Sequence, residues 1–307
     1  MTKGDALPRC KCCGAPSRAF ADFDAARTAS DMNGPVFPPS GRLIRYYRCI
    51  QCGFVYTCDF DDLTDEQLGA SIYNSDYSLA DPDFAEARPR YFAELLASTF
   101  APLRGSLSSL DFGGGSGTLA RLMQDEGFTY DSIDPHFNPA PPKAELYDLV
   151  TAFEVLEHSR KPRDTFAAAL ASLGAGGVLM FSTLLQPRRL APTWWYIAPR
   201  NGHVSIHTRE SLGALARVFG TRCLTLEGGL HIFYRRRSPA LSCVLGRFAS
   251  GAAWVASFEG LRHYTLTTGA LARVGCWRFA FNTKLWVRAA MATAIRDDGR
   301  LLLRHPH

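Results

Sequence analysis

Hydrophobic and polar positions change period several times along this chain. Residues 42–48 and 54–56 alternate with period two, the mark of short strands with one buried face. An acidic stretch over 59–68 opens like a helix, and 89–100 sets Tyr91, Leu95 and Leu96 on one side of another. Short apolar runs at 108–112, 130–134 and 147–153 then read as buried strands, with a glycine-rich turn and a helix start after the first. From 235 onward the pattern shifts again. Two apolar stretches, 248–258 and 285–295, are broken by small residues and edged with arginine, which predicts helices of mixed face. The expected organisation is a module over 1–60, a helical linker over 61–100, an α/β domain over 101–234, and a basic, mostly helical extension over 235–307.

Composition narrows the class. The 307 residues are 47% hydrophobic and 21% charged, enough apolar material for a sizeable core and too much for a disordered chain. No apolar run approaches the roughly 18 residues that a spanning helix needs, and the first nine residues lack the apolar stretch of an export signal. A cytoplasmic location is expected. The net charge of +5 is unevenly spread. Residues 235–307 hold twelve Lys/Arg against three acids, while the first 234 hold 22 basic and 26 acidic residues. Arg-edged apolar helices suit an anionic membrane surface. They suit equally an extra helical layer or a dimer contact, so membrane-surface association and a homodimer both stay open.

Cysteine is concentrated at the front. Cys10-Lys-Cys-Cys13-Gly14 and Cys49-Ile-Gln-Cys52-Gly53 are two C-x-x-C-G units, and the glycine of each gives the backbone freedom for a tight turn. Paired turns bring four thiolates around one ion, the closed tetrahedral shell of structural zinc. Cys10, Cys13, Cys49 and Cys52 are the expected ligands. Cys12 is the odd thiol and could compete with a neighbour. The 35 residues between Cys13 and Cys49 require an inserted loop, which the Pro/Gly-rich stretch 33–41 supplies. The module has the pattern of a zinc ribbon.

The glycine turn, Asp111-Phe-Gly113-Gly-Gly115-Ser-Gly117, sits between a strand and a helix start, where bare backbone and helix amides can approach a ligand. Asp134 ends the next strand, placed to meet a ribose diol. With Phe153-Glu154-Val-Leu-Glu157-His158 after the following strand, the chain resembles the class I S-adenosylmethionine-dependent methyltransferases, in the small-molecule branch around ubiquinone-type O-methyltransferases. The stretch 173–182 resembles that family's glycine turn and fifth strand, and 202–212 the segment before a late helix. The resemblance covers about 91–234. It implies a Rossmann-like methyltransferase sheet, S-adenosylmethionine as cofactor, and Asp111, Gly113, Gly115, Gly117, Asp134, Phe153 and Glu154 as its binding residues. Relatives with a zinc-binding leader act on sugars and other bacterial metabolites. One departure stands out. Only twelve residues, rich in proline, separate Asp134 from Tyr147, where the family usually places a helix and a third strand. No adenine-binding residue is carried over from that segment.

Methyl transfer needs an aligned nucleophile and often a base. His203 and then His158 are the candidate bases, with Glu157 and His207 nearby in sequence; each histidine reads as readily as a hydrogen-bonded loop residue. Trp194-Trp195-Tyr196 is either an acceptor pocket or a core seam. Arg188 and Arg189 would suit an anionic acceptor, although a solvated pair explains them as well. The expected activity is methylation of a small metabolite or glycan precursor on O, N or C. Three alternatives remain: an RNA methyltransferase, a non-catalytic binding protein with a degenerate cofactor site, and a nicotinamide oxidoreductase resting on the glycine turn alone. Against nucleic acid, the segment after the fourth strand is Glu-Val-Leu-Glu rather than the Asn/Asp-Pro-Pro-Tyr type, and the 1–234 part that contains the ribbon carries no basic surplus.

Overall fold

The computed structural model describes residues 7–31, 34–135, 137, 146–249, 254–255 and 263–266. Three strands open the chain: β1 (Ser17–Asp24), β2 (Leu43–Cys49) and β3 (Val55–Thr57). They pair antiparallel, β1 with β2 and β2 with β3, and the inserted loop joins the first two. Helices α1 (Asp65–Ser71), α2 (Tyr77–Ala80) and α3 (Ala87–Thr99) follow. The acidic stretch does lead into α1, but the helix begins only where Thr64 caps it, its hydroxyl accepting from Gln67 N while the Gln67 side chain accepts from Thr64 N. On α3, Phe92, Leu95 and Leu96 are buried and Tyr91 is half-buried.

The main sheet follows: β4 (Ser108–Phe112), α4 (Thr118–Asp125), β5 (Thr129–Ile133), β6 (Tyr147–Ala152), α5 (Pro162–Ala171) and β7 (Leu173–Ser182). Then come β8 (Ser205–Ile206), α6 (Arg209–Val218), β9 (Arg222–Thr225), β10 (Leu230–Tyr234), α7 (Pro239–Ala249), β11 (Trp254–Val255) and β12 (His263–Leu266). Its order is β11-β12-β9-β10-β7-β6-β4-β5. Strands β5, β4, β6 and β7 run parallel, and β10 lies antiparallel between β7 and β9. This is the expected mixed α/β, Rossmann-like sheet. On its β5 side the described sheet ends there, because 136 and 138–145 lie outside the described residues. Most of the basic extension also lies outside them, including 285–295. Of the helix predicted over 248–258, residues 254–255 form β11, a strand. β12 runs parallel along the otherwise open edge of β9, and β11 pairs with β12, so backbone pairing at a sheet edge prevails over the local pattern there. Among the described residues no helix is long and apolar enough to cross a membrane.

Alternation along the strands builds two cores, one on each face, as parallel sheets require. Leu149, Val178, Met180 and Ile232 pack with α3, α4 and α7. Val150, Leu179, Phe181 and Phe233 pack with Phe166 of α5 and Leu212 and Leu215 of α6. The front module shares this second core, since Cys10, Cys12, Cys49, Cys52, Phe54 and Tyr56 belong to it. The join is also made by backbone. β8 leaves the main domain to pair antiparallel with β3, Val55 opposite Ile206 and Tyr56 opposite Ser205. Thr208 Oγ1 donates to Cys52 O (2.5 Å), Gln186 Nε2 to Gly53 O (2.8 Å) and Arg163 Nε to Cys12 O (2.8 Å).

Phe54 sits in this seam, fully buried, stacked on Tyr56 at 5.4 Å and 4.8 Å from the His207 ring. Phe54→Ala is expected to cost about 3–5 kcal/mol and to leave one cooperative transition in urea, followed by circular dichroism and tryptophan fluorescence together. Two separated transitions, or a loss below about 1 kcal/mol, would contradict a shared core.

Candidate functional site

The cysteine cluster stands at one end of the seam. Sγ atoms of Cys10, Cys13, Cys49 and Cys52 all lie within 4.8 Å of one another, with Cys10 to Cys52 at 3.6 Å and Cys13 to Cys49 at 3.4 Å. Four sulfurs about 2.3 Å from one zinc ion would stand about 3.8 Å apart. Amides of Cys12 and Cys13 point at Cys10 Sγ, and those of Gln51 and Cys52 at Cys49 Sγ, at 3.4–3.5 Å. Each turn closes on a left-handed glycine, Gly14 (φ 79°) and Gly53 (φ 70°). The four residues fit a closed tetrahedral ion. Cys12 is buried beside them and outside the set.

The glycine turn lies at the C-terminal end of β4, where parallel sheets bind ligands. Gly113 (φ 75°), Gly115 (φ 55°) and Gly117 (φ 76°) are all left-handed. A Cβ on Gly113 would meet Val155 at 2.7 Å, and one on Gly114 would meet Ser132 and Asp111 below 2.5 Å. Gly115 faces open space, with no atom within 4 Å of such a Cβ. Asp134 Oδ2 accepts from Gly115 N (3.0 Å) and Oδ1 from Phe137 N (3.1 Å), so the carboxylate is anchored beside that opening. Asp111 is buried under the turn and accepts from Thr151 Oγ1 (3.0 Å); burial pushes its carboxyl up to about 7, against that hydrogen bond and with help from the Asp134 charge.

After β6 the chain turns sharply. Glu154 holds φ 56°, an uncommon conformation for a residue with a side chain. Ser182 fixes it from β7: its Oγ accepts from Glu154 N and donates to Glu154 Oε1, both at 2.7 Å. Arg88 of α3 forms a bidentate pair with Asp81 (2.8 and 2.9 Å) and comes to 3.9 Å from Glu154 Oε2. Phe153, read from sequence as a cofactor residue, stacks on Phe92 at 3.8 Å and 8°. It closes the α3 side of the cleft.

Glu157, His158 and His203 come together beyond the turn after β6, and their ligand atoms all lie within 4.8 Å of one another. Glu157 is fully buried; Tyr196 OH donates to its Oε1 (2.8 Å), and Oε2 has no partner. Burial, and then the nearby Glu154 charge, push this carboxyl well above the usual range. His203 Nδ1 meets Tyr196 O at 2.7 Å, so Nδ1 carries the proton and Nε2 keeps its lone pair. Burial lowers the His203 imidazole, and pushes that of His158 down to about 3 with the His203 charge adding to it. Tyr73 lies 6.1 Å from the His158 ring. His207 is elsewhere, in the core between Phe54 and Phe166, with Nδ1 on Ser211 Oγ (3.2 Å). Trp194 and Trp195 are half-buried and flank Tyr196, which is a buried strut.

Sequence reasoning missed Arg88, Asp81 and Ser182. Arg88 and Asp81 stand in no motif, Ser182 only ends the 173–182 strand stretch, and each acts across more than one element. It left Tyr196 between pocket and seam, because a ring inside the core with both its hydroxyl and its carbonyl engaged has no local signature.

Residues 84–226 match the family model described as a methyltransferase domain. Among curated proteins, the ubiquinone biosynthesis O-methyltransferases of Salmonella arizonae and Salmonella newport are each 32% identical over 100 residues, 24% of this chain and 41% of theirs. The chain thus spans less than half the length of the curated relatives it matches. Similar solved structures include a sugar N-methyltransferase from a Streptoalloteichus species, 13% identical with a TM-score of 0.40 over 54% of this chain and 93% of that one. Another is the magnesium protoporphyrin IX methyltransferase of Synechocystis with bound S-adenosylhomocysteine, 15% identical with a TM-score of 0.36 over 50% and 84%. The family match thus covers just under half of the chain and contains the glycine turn, Asp134 and the turn after β6.

Proposed function

We propose that this chain methylates a small metabolite or glycan precursor, with S-adenosylmethionine held over the glycine turn and a structural zinc ion in the cysteine cluster. The observation that carries the reading is the anchoring of Asp134 beside the open face of Gly115. A carboxylate held there can accept both ribose hydroxyls while left-handed glycines let the backbone approach the ligand. When bound, the cofactor supplies an electrophilic methyl group on a sulfonium. The chain's own residues then have two tasks.

The first is to shape the donor side. Gly113, Gly115 and Gly117 form the floor, Asp134 the ribose anchor and Phe153 the α3-side wall, with Asp111 bracing the turn from below. Glu154 and Arg88 would set the polarity beside the turn after β6. The second task is to align and deprotonate an acceptor. His203 Nε2, free to accept because Nδ1 is committed to Tyr196 O, can take a proton from a hydroxyl or amine, with His158 beside it. Burial keeps both imidazoles neutral at physiological pH, as a base requires. The ubiquinone-type relatives act in ubiquinone biosynthesis by name, which supports an oxygen acceptor.

Asp134→Ala is expected to weaken S-adenosylhomocysteine binding about 10–100-fold, the worth of charge-assisted hydrogen bonds of about 1.5–3 kcal/mol. Calorimetry reads this directly, with NADH as a control that should not bind. Unchanged affinity would displace the site, and failure of the unaltered protein to bind would favour a non-catalytic binding protein. For the cysteine cluster, Cys49→Ser should release one zinc equivalent by metal analysis and lower the unfolding midpoint, since structural metal contributes directly to folding. Retention of that equivalent would overturn the four-thiolate assignment.

A further inference from the structure

We propose that the end of the main sheet opposite the glycine turn rests on an anionic lipid surface through Arg217, Arg222, Arg235, Arg236 and Arg237. Strand register brings these residues together. Ser109, Leu149, Val178, Tyr234 and Arg222 form one row across β4, β6, β7, β10 and β9. Arg235 follows Tyr234 directly. Arg217 stands in the last turn of α6, where its carbonyl accepts from Gly220 N (3.3 Å) just before β9 begins. The Arg236 guanidinium lies over Gly176 of β7, 3.7 Å from where a Cβ would stand.

All five residues are exposed, and among the described residues none of their side chains has a hydrogen-bond or acidic partner. Other arginines of this chain do find acids: Arg45 pairs with Asp22, Arg104 with Glu126 and Arg160 with Asp65. The acids of the same end stand on its other side, toward β4 and β5. Asp125 and Glu126 close α4, with Glu126 on Arg104 (3.4 Å), and Asp148 accepts from Ser108 N and Oγ (3.2 and 3.0 Å). Cations gathered without counter-charge repel one another. Their summed field attracts a surface of opposite sign within about one Debye length, about 10 Å at 0.1 M salt.

Two features make that surface a bilayer rather than a polynucleotide. Val218, 53% exposed, stands beside Arg217 and next to the half-buried Phe219, so apolar and cationic groups share the patch. The sequence that leaves the patch, 238–307, carries nine Lys/Arg against three acids with apolar residues between them, among them Trp254, Trp277 and Trp286. Cations interleaved with apolar and tryptophan side chains suit headgroups, which offer charge at the surface and hydrocarbon just beneath it. The phosphates of a nucleic acid reward the cations alone. From Ser109 to Gly113, where the glycine turn opens, four residues of strand span about 13 Å. A chain lying on this end therefore holds the glycine turn away from the lipid. The surface shares no residue with the proposed methyl-transfer site, and neither reading depends on the other.

The test sediments the full-length protein with vesicles of phosphatidylcholine alone or with about one-third phosphatidylglycerol, at about 0.1 and 0.5 M salt. Binding is expected to the anionic vesicles only, and to weaken at least about tenfold at the higher salt. Each arginine near an anionic surface contributes about fivefold in affinity, the equivalent of about 1 kcal/mol. Arg235→Gln/Arg236→Gln/Arg237→Gln should therefore bind about 100-fold more weakly and Arg217→Gln/Arg222→Gln about 25-fold, each with an unchanged circular dichroism spectrum. Arg18→Gln/Arg48→Gln is the control. These two oppose each other across β1 and β2, and Arg48 lies 3.9 Å from the Cβ position of Gly53, beside Thr208 at the other end of α6. Removing charge there should change binding less than about twofold. Equal binding to neutral vesicles, a triple variant within about fivefold of the parent protein, or a control as weak as Arg217→Gln/Arg222→Gln overturns the surface. If the triple variant does not fold, the double variant Arg217→Gln/Arg222→Gln decides. Binding of double-stranded RNA without binding of anionic vesicles overturns the lipid assignment and gives the patch to a polynucleotide.

Discussion

The loop between β7 and α6 is long and largely buried, and a buried backbone must find hydrogen-bond partners for its amides and carbonyls. Much of the structure follows from how this demand is met. β3 of the cysteine module supplies one set of partners by pairing with β8, and Thr57 N adds a bond to Val204 O (3.1 Å). Tyr46, fully buried on β2, donates to His203 O (2.8 Å). The turn after β6 supplies another set through Glu157 O. His203 is therefore held by the front module on one side and by the Glu157–His158 turn on the other. Neither the front module nor the main sheet would satisfy that loop alone.

A second constraint is electrostatic. Asp111, Asp134, Glu154 and Glu157 all lie at or just beyond the C-terminal ends of β4, β5 and β6, and all but the half-buried Glu154 are buried. Like charges so placed would repel, and each is answered differently. Asp111 is driven toward its neutral form by burial. Asp134 takes two backbone amides. Glu154 is held in a strained conformation by a double hydrogen bond to Ser182 and lies near the Arg88 guanidinium. Glu157 has one hydroxyl and one oxygen without a partner, and burial pushes its carboxyl well above the usual range.

The legible parts of the chain are those whose signal is local. Glycines at 113, 115 and 117 are needed because the turn is left-handed there, and Asp134 and the strands of the sheet follow from short-range pattern. The paired cysteine turns were equally plain, since each is a few residues long. What sequence could not show depends on distant partners. β8 is two residues long and exists because β3 lies beside it. Arg88 reads as an ordinary charge at a helix start until Asp81 and Glu154 surround it. His203 and His158 stand out in the sequence as candidate bases by their place after strands, and only the structure sets them next to Glu157 with two polar atoms unpaired.

Thr208 shows how these levels meet in one residue. Its hydroxyl accepts from Ser211 N (2.9 Å), capping α6, and donates to Cys52 O (2.5 Å) at the second cysteine turn. A hydroxyl has one proton to donate, and here it is spent on the front module while the lone pairs begin the helix. The start of α6, the end of the loop bearing His203 and the turn that presents Cys49 and Cys52 thus share a single fixed point. The cysteine turn is tied through Thr208 to the end of the loop bearing His203, whereas the glycine turn and Asp134 hang from β4 and β5 on separate supports. The glycine turn with Asp134 and the Glu157–His158–His203 cluster are consequently built on different foundations, so the cysteine module bears on the second far more directly than on the first.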